Sequence, residues 1–298
     1  GLKILISIKE DETSLPLIDR LKSESGVTVS AVHPFTDKKD RYALIEAYLE
    51  RYFKNLDESL KELLCGLPPT ENPLYLKVLL SELRVFGAFG QLEAEIRSFG
   101  ENPEDAFSRV LERLETDTAF SELPSREAVS ALFGLLSCAR HGLSEDELSF
   151  CFKRIFPAQP EELLKETLRL YIRQLRPFLA RRQGRTDFLY ESFLLAASKR
   201  YVAAAQKNHA LLCECFMSSA DPTGSSRFYG ESARSFAELP YHLHKAGQDK
   251  ELRGLLADYL WLVSKLRLCG VASAISDYAF LDDTDKELRP IAEFLRLS

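Results

Sequence analysis

SREAVSALFGLLSCARHGLSEDELSFCFKRIFPAQPEELLKETLRLYIRQLRPFLARRQGRTDFLYESFLLAASKRY, residues 125–201, carries three helical patterns followed by two short strands. Val129, Leu132, Phe133 and Leu136 recur at the spacing that puts apolar side chains on one helical face. Gly142-Leu-Ser144-Glu-Asp-Glu147 opens a second helix with a capping box, in which Ser144 and Glu147 satisfy free backbone donors reciprocally. Leu164, Leu168, Tyr171, Ile172 and Leu175 line a third helix, and Phe178 to Tyr190 reads as two strands around Gly184. Helix, short turn, helix, helix, hairpin is the layout of a winged helix.

Helical periodicity continues on both sides. Upstream, Asn102 and Pro103 are a cap and a first-turn proline. A helix is expected from Pro73 to Phe86, stopped at Gly87, and another through Leu60, Leu63 and Leu64 up to the break at Gly66, Pro68 and Pro69. Leu44, Ile45, Tyr48, Leu49, Tyr52 and Leu56 mark one more. Downstream, residues 218–230 are a polar loop, and Leu252, Leu255, Leu256, Tyr259, Leu262, Val263 and Leu266 predict one strongly amphipathic helix ending at Gly270.

The N-terminal stretch reads differently. Residues 2–8 are a continuous apolar run, the pattern of a strand buried on both faces of a parallel sheet. A helix capped by Ser14, with Pro16 in its first turn and Leu17, Ile18 and Leu21 on its face, runs to Gly26, and Val27 to Phe35 predicts a second strand. Two strands do not make a stable sheet alone in water. The rest of that sheet is therefore expected elsewhere in a longer protein, with Gly1 a cloning remnant.

Composition sets the outer limits. A chain of 298 residues is long enough for about two or three domains, and 45% hydrophobic with 28% charged residues is an ordinary globular balance. A net charge of -6 supplies no global field toward nucleic acid or anionic lipid. No apolar stretch is long enough to span a bilayer and no signal peptide opens the chain, so a cytoplasmic protein without a membrane partner is expected. Six cysteines without a CxxC pair read as reduced core thiols.

The sequence has no GxxxxGK[ST] loop, GxGxxG, HExxH or GxSxG, and no metal-spaced Cys/His cluster. No catalytic residue and no metal ligand is therefore expected. His242 and His244 point apart on a helix, since residues two apart diverge by roughly 200°. Arg181, Arg182 and Arg185 lie on the expected wing, where winged-helix proteins touch phosphate, but Glu161, Glu162 and Glu166 on the would-be recognition helix oppose a duplex.

Asn72-Pro73-Leu74-Tyr75-Leu76-Lys77-Val78-Leu79-Leu80-Ser81-Glu82-Leu83-Arg84 resembles the lid motif of STAND-type signal-transduction ATPases, the NACHT and NB-ARC group. Glu238-Leu239-Pro240-Tyr241-His242-Leu243, then Ala246-Gly247 and Leu252 to Leu266, resembles the helical region that leads into WD repeats in telomerase-associated and nephrocystin-like members. The resemblance covers nearly the whole chain. It implies a mainly α fold: a short α/β remnant of a P-loop ATPase core at 1–36, a helical lid at 37–103, a winged-helix domain at 104–217 and a helical connector at 218–298.

Carried over by position, Lys9 stands where the family offers an arginine to the terminal phosphate, keeping the charge but losing the bidentate fork. Pro73 matches the proline beside adenine, and Tyr190 replaces a nucleotide-reading histidine. The implied function is a regulatory module that closes over nucleotide and controls oligomerisation. It has no catalysis and no cofactor of its own; ATP or ADP with Mg would be bound by the full-length parent. The implied partners are an upstream ATPase core, a downstream WD-repeat or other repeat domain, and other copies of the same protein. A winged-helix nucleic-acid-binding protein and a helical-repeat scaffold are the alternative readings.

Overall fold

In the computed structural model, described for residues 3–8, 10–85, 91–117, 122–281, 285 and 287–297, the chain divides into two compact units, Gly1–Lys77 and Val78–Ser298. The fold is mainly α.

The first unit holds α1 (Leu15–Ser23), α2 (Lys38–Glu50), α3 (Glu58–Gly66) and the opening of α4 (Pro73–Val85). Asp37 caps α2 by accepting from the Lys39 N–H at 2.8 Å. Ile45, Leu49, Leu56, Leu64 and Cys65 form the core. Arg41 is buried beside it and donates from Nη1 to Thr70 Oγ1 at 3.1 Å, which gives its guanidinium a partner inside the unit.

Three expectations fail in this unit. Ser14 makes no side-chain cap on α1; its hydroxyl accepts instead from the Asp11 N–H at 3.0 Å, within a turn closed by the Asp11 carboxylate. Residues 3–8 form no strand, and neither do residues 27–35. A strand requires a neighbour to exchange ladder hydrogen bonds with, and no described segment supplies one. Side chains of both segments are accordingly in water: Leu5 is 100% and Val32 96% exposed. The expected helix stop at Gly87 lies outside the described residues.

The second unit continues α4 and adds α5 (Leu92–Arg97), α6 (Pro103–Thr116), α7 (Ser125–Cys138), β1 (Leu143–Ser144), α8 (Glu145–Ile155), α9 (Glu161–Gln174), β2 (Leu179–Arg182), β3 (Arg185–Phe188) and α10 (Glu191–Arg200). Asn102 caps α6, accepting from the Asp105 N–H at 3.0 Å, and the Ser144/Glu147 capping box opens α8 as read from the sequence. The strands form an antiparallel sheet in the order β1-β3-β2, with Leu143 opposite Thr186 and Arg182 opposite Arg185. Gln183 and Gly184 both have positive φ, 51° and 77°, the two-residue turn that matches the twist of a hairpin. Gly142, at φ 65°, lets β1 approach β3 so closely that a Cβ there would lie 2.4 Å from the Thr186 carbonyl oxygen. Helix α7, strand β1, α8, α9 and hairpin thus follow the element order expected for residues 125–201.

Phe107, Phe133, Phe178 and Phe193 form an aromatic core beneath the hairpin, with Phe107 stacked on Phe193 at 4.5 Å. Helix α11 (Ala205–Ala220) packs against α7 and α8 and also against α12 (Ala233–Lys245), which carries Pro240 in its interior. The single amphipathic helix expected across residues 252–266 is two, α13 (Asp249–Ala257) and α14 (Tyr259–Cys269). Asp258 turns the chain in extended conformation and caps α14 through the Trp261 N–H at 3.0 Å. The break aims Trp261 inward onto Phe236, 4.6 Å away, and leaves Tyr259 and Val263 exposed. Helices α15 (Val271–Asp277) and α16 (Arg289–Leu297) follow.

Candidate functional site

Local sequence builds a charged corner where α12 meets the turn between α7 and α8. Glu147, fixed by the capping box, accepts from Arg234 of α12 at Nε, 2.6 Å, and at Nη2, 3.2 Å. Arg234 Nη2 also donates to the Gly142 carbonyl oxygen at 2.6 Å. In the other direction, Arg140 reaches from the end of α7 to Glu238 of α12 at 2.9 Å and to the Ala237 carbonyl oxygen at 2.8 Å, its guanidinium lying over the Tyr241 ring. Charge-assisted bonds therefore run both ways across the seam. Because α11 packs on both sides, hairpin unit and C-terminal helices share one core.

Glu238 is 3% exposed and faces both arginines. Glu238→Ala is expected to lower stability by about 1–3 kcal/mol, read as a reduced midpoint in urea, whereas Arg181→Ala on the hairpin should change it by less than about 0.5 kcal/mol.

Behind this corner, His209 of α11 and His242 of α12 meet at 2.8 Å between their Nδ1 atoms. One nitrogen must carry a hydrogen and the other accept, so at least the accepting ring is neutral. If His209 donates, the Nε2–H of His242 faces Glu238 Oε2, 3.8 Å away. Burial holds His209 down to about 4, with Lys245 adding to it; burial and then His209, Arg140 and Arg234 hold His242 down to about 2. Below the pair, Lys265 of α14 is buried, bonded to the Phe236 carbonyl oxygen at 2.8 Å and paired with Asp277 Oδ2 at 2.7 Å. Burial pushes Asp277 up to about 6 despite the lysine. None of these long-range pairs has a local signature in the sequence.

The residues singled out in the sequence are distributed as follows. Pro73 opens α4 and is exposed, with Asn72 Oδ1 accepting from the Leu74 N–H at 2.9 Å and the Tyr75 N–H at 3.2 Å. Tyr190 lies in the second unit at the start of α10, half-buried, its ring 6.4 Å from Phe107 and 6.5 Å from Phe178. Lys9 is outside the described residues. Arg181 and Arg182 are exposed on β2, and Arg185 is half-buried on β3 beside Gln183, to which it donates. The six cysteines are free, five of them buried. No helix among the described residues is long and apolar enough to cross a membrane.

Residues 206–298, from the start of α11 onward, match the family described as the APAF-1 helical domain. A TPR repeat-containing protein of Dictyostelium discoideum is 25% identical over 248 residues, 81% of this chain and 14% of that protein. Telomerase protein component 1 of Mus musculus is 25% identical over 284 residues, 86% of this chain and 10% of its own length. Apoptotic protease-activating factor 1 of Danio rerio is 31% identical over 111 residues, 36% of this chain and 9% of that protein. The chain thus spans about a tenth of the length of the relatives it matches.

Proposed function

We propose that this chain, whose C-terminal part is the helical region of a STAND-type protein, is a regulatory module that closes over nucleotide held by an ATPase core and controls self-association. The observation that carries the reading is the seam described above. Arg234 and Arg140 tie α12 to the α7–α8 corner, and α11 is shared, so that displacement of the hairpin unit carries the C-terminal helices with it. A switch of this kind is a bistable arrangement biased by ligand contacts made in one state and not the other.

On this proposal residues 104–217 are the winged-helix domain, residues 37–103 the lid, residues 218–298 the helical connector and residues 1–36 part of the ATPase core. Pro73 is the candidate for packing beside adenine and Tyr190 for donating one hydrogen bond to nucleotide; Lys9 remains the candidate for the terminal phosphate. The sequence has no phosphate-binding loop, so on this reading ATP or ADP with its Mg would depend on the core for its phosphates. The partners on this reading are the upstream core, a repeat domain downstream and further copies of the protein, in the cytoplasm.

The chain alone is expected to give no ATP turnover above a buffer blank. Turnover that survives repurification and scales with protein would contradict the assignment of catalysis to another part of the molecule. The duplex-binding reading is disfavoured by α9 itself. Glu161, Glu162 and Glu166 are exposed along it, and Arg169 is held by Glu145 at 2.5 Å.

A further inference from the structure

We propose that the cavity between α7 and α11 binds a small organic carboxylate, its charge met by Arg126 and Lys207 and its apolar body by Ala131, Ile155 and Leu211. Helical spacing builds the two walls. Arg126, Glu127, Ser130 and Ala131 fall on one side of α7, and Lys207, Asn208 and Leu211 on one side of α11, set three or four residues apart. The helices close on each other one turn further along α7, at Gly134, where a Cβ would lie 2.7 Å from Asn208 Nδ2 and 3.5 Å from Tyr201 Cβ. Before that point they leave a cavity of about 720 Å³ that opens to solvent, a size suited to a small ligand and not to a folded partner.

The charges around this cavity do not balance. Glu115, near the end of α6, is engaged within the protein: its carboxylate accepts from Arg200 at 2.8 and 2.7 Å and from the Tyr201 hydroxyl at 2.8 Å. Burial alone would raise its pKa, and these bonds outweigh burial and hold it below the usual carboxylate value. Glu115 therefore stays charged without needing a ligand. Arg126 and Lys207 make no ion pair among the described residues, and Glu127 is the one other carboxylate lining the cavity. Three cations against two carboxylates leave an excess of one positive charge, in a chain whose own net charge is -6.

A hydrogen-bond donor is also left unmet. Asn208 is 4% exposed; its amide lies beside the Cys138 thiol, a weak acceptor, and its Nδ2 makes no hydrogen bond among the described residues. Leaving a buried N–H without an acceptor is unfavourable, and a ligand oxygen in the cavity supplies one. The occupant selected in this way is a monoanion with acceptor oxygens and an apolar body. A carboxylate carries a single charge at neutral pH and matches the excess, whereas a phosphate monoester carries nearly two. Buried Ala131 and Leu211 and half-buried Ile155 cover the apolar body.

The test is isothermal titration calorimetry on the whole chain with phenylbutyrate, phenylbutylamine, phenylbutanol and phenyl phosphate, at neutral pH and equal salt. Phenylbutyrate is expected to bind most tightly of the four and to lose at least about fivefold in affinity in an Arg126→Gln/Lys207→Gln variant. Asn208→Leu, which keeps the volume and removes the donor, should lose at least about threefold. Lys250→Gln, at an exposed position of α13 that does not line the cavity, should lose nothing. Arg126 and Lys207 are exposed, so the double variant is expected to fold, and retention of the Trp261 fluorescence reports that each variant has done so. No binding of phenylbutyrate, or binding that the double variant leaves unchanged, would overturn the proposal. Equal affinity for the amine or the alcohol, or tighter binding of phenyl phosphate, would overturn it as well.

Discussion

Asp277→Ala is expected to destabilise the second unit by about 3–5 kcal/mol at neutral pH, because it leaves the Lys265 ammonium buried with only a carbonyl for company. Lys265 is 1% and Asp277 3% exposed, so water cannot replace the lost carboxylate. The pair is not itself a large source of stability. Burial outweighs the lysine at Asp277, whose pKa rises to about 6, which is the mark of a desolvated charge that its partner only partly compensates. Lys265→Met with Asp277→Leu is therefore expected to recover most of the loss, since an apolar pair of similar volume avoids both desolvation penalties. Trp261 is the chain's one tryptophan and is stacked on Phe236, whose carbonyl binds Lys265, so urea unfolding followed by its fluorescence reads this site directly. Equal destabilisation in the single and double variants would show that packing, and not the stranded charge, sets the cost.

Acidification from about pH 7 to about pH 5 is expected to remove about 2–3 kcal/mol of stability, through the histidine seam. In the unfolded chain a histidine titrates near about 6.5, whereas His209 and His242 are held down to about 4 and about 2 in the fold. Below the unfolded value the unfolded state takes up two protons that the folded state refuses. Their contribution is complete above that value and is lost as pH falls toward the folded values, at about 1.4 kcal/mol per pH unit for each ring. Over about one and a half units this amounts to about 4 kcal/mol. Asp277 acts with the opposite sign: its folded pKa is raised, so the folded state binds its proton first and regains about 1.4 kcal/mol by about pH 5. The charges facing the pair are Glu238, already shared by Arg140 and Arg234, and the Lys245 ammonium, so the surroundings do not welcome an imidazolium. His209→Gln with His242→Phe should flatten the dependence and leave the shallow opposite slope of Asp277. An unchanged pH profile in that variant would place the acid sensitivity elsewhere.

What the sequence made legible, and what it hid, divides along the range of the interactions involved. The capping box at Ser144 and Glu147 and the Asn102 cap are satisfied within three residues, and both are present as read. The hairpin is closed by its own two-residue turn. Residues 2–8 and 27–35 have apolar strand composition, but pairing is a property of neighbours, and the described segments stay unpaired. The division of residues 252–266 at Asp258 went unseen because the apolar spacing runs on across it. What overrides the periodicity is the cap on Trp261 and the burial of that ring, a tertiary preference.

At the candidate site the same contrast is sharper. Glu147 was read as a cap; that it also anchors Arg234, 87 residues away, has no local mark. His242 was set beside His244, two residues on, yet its partner is His209, 33 residues upstream. Lys265 falls outside the apolar spacing of Leu262, Val263 and Leu266, and its burial follows from the helix break that turns Trp261 inward. Pairs of this kind become visible once α11, α12 and α14 are packed together.

We propose that this chain is the moving, regulatory part of a nucleotide switch. The most direct test is the solution mass of the polypeptide extended upstream through an ATPase core, measured with ADP, with ATP and with a non-hydrolysable ATP analogue. The account predicts a shift from monomer to a larger assembly that depends on the nucleotide and weakens when Pro73 or Tyr190 is replaced. A mass that stays the same with all three nucleotides, with none bound, would contradict it and leave a helical scaffold in its place.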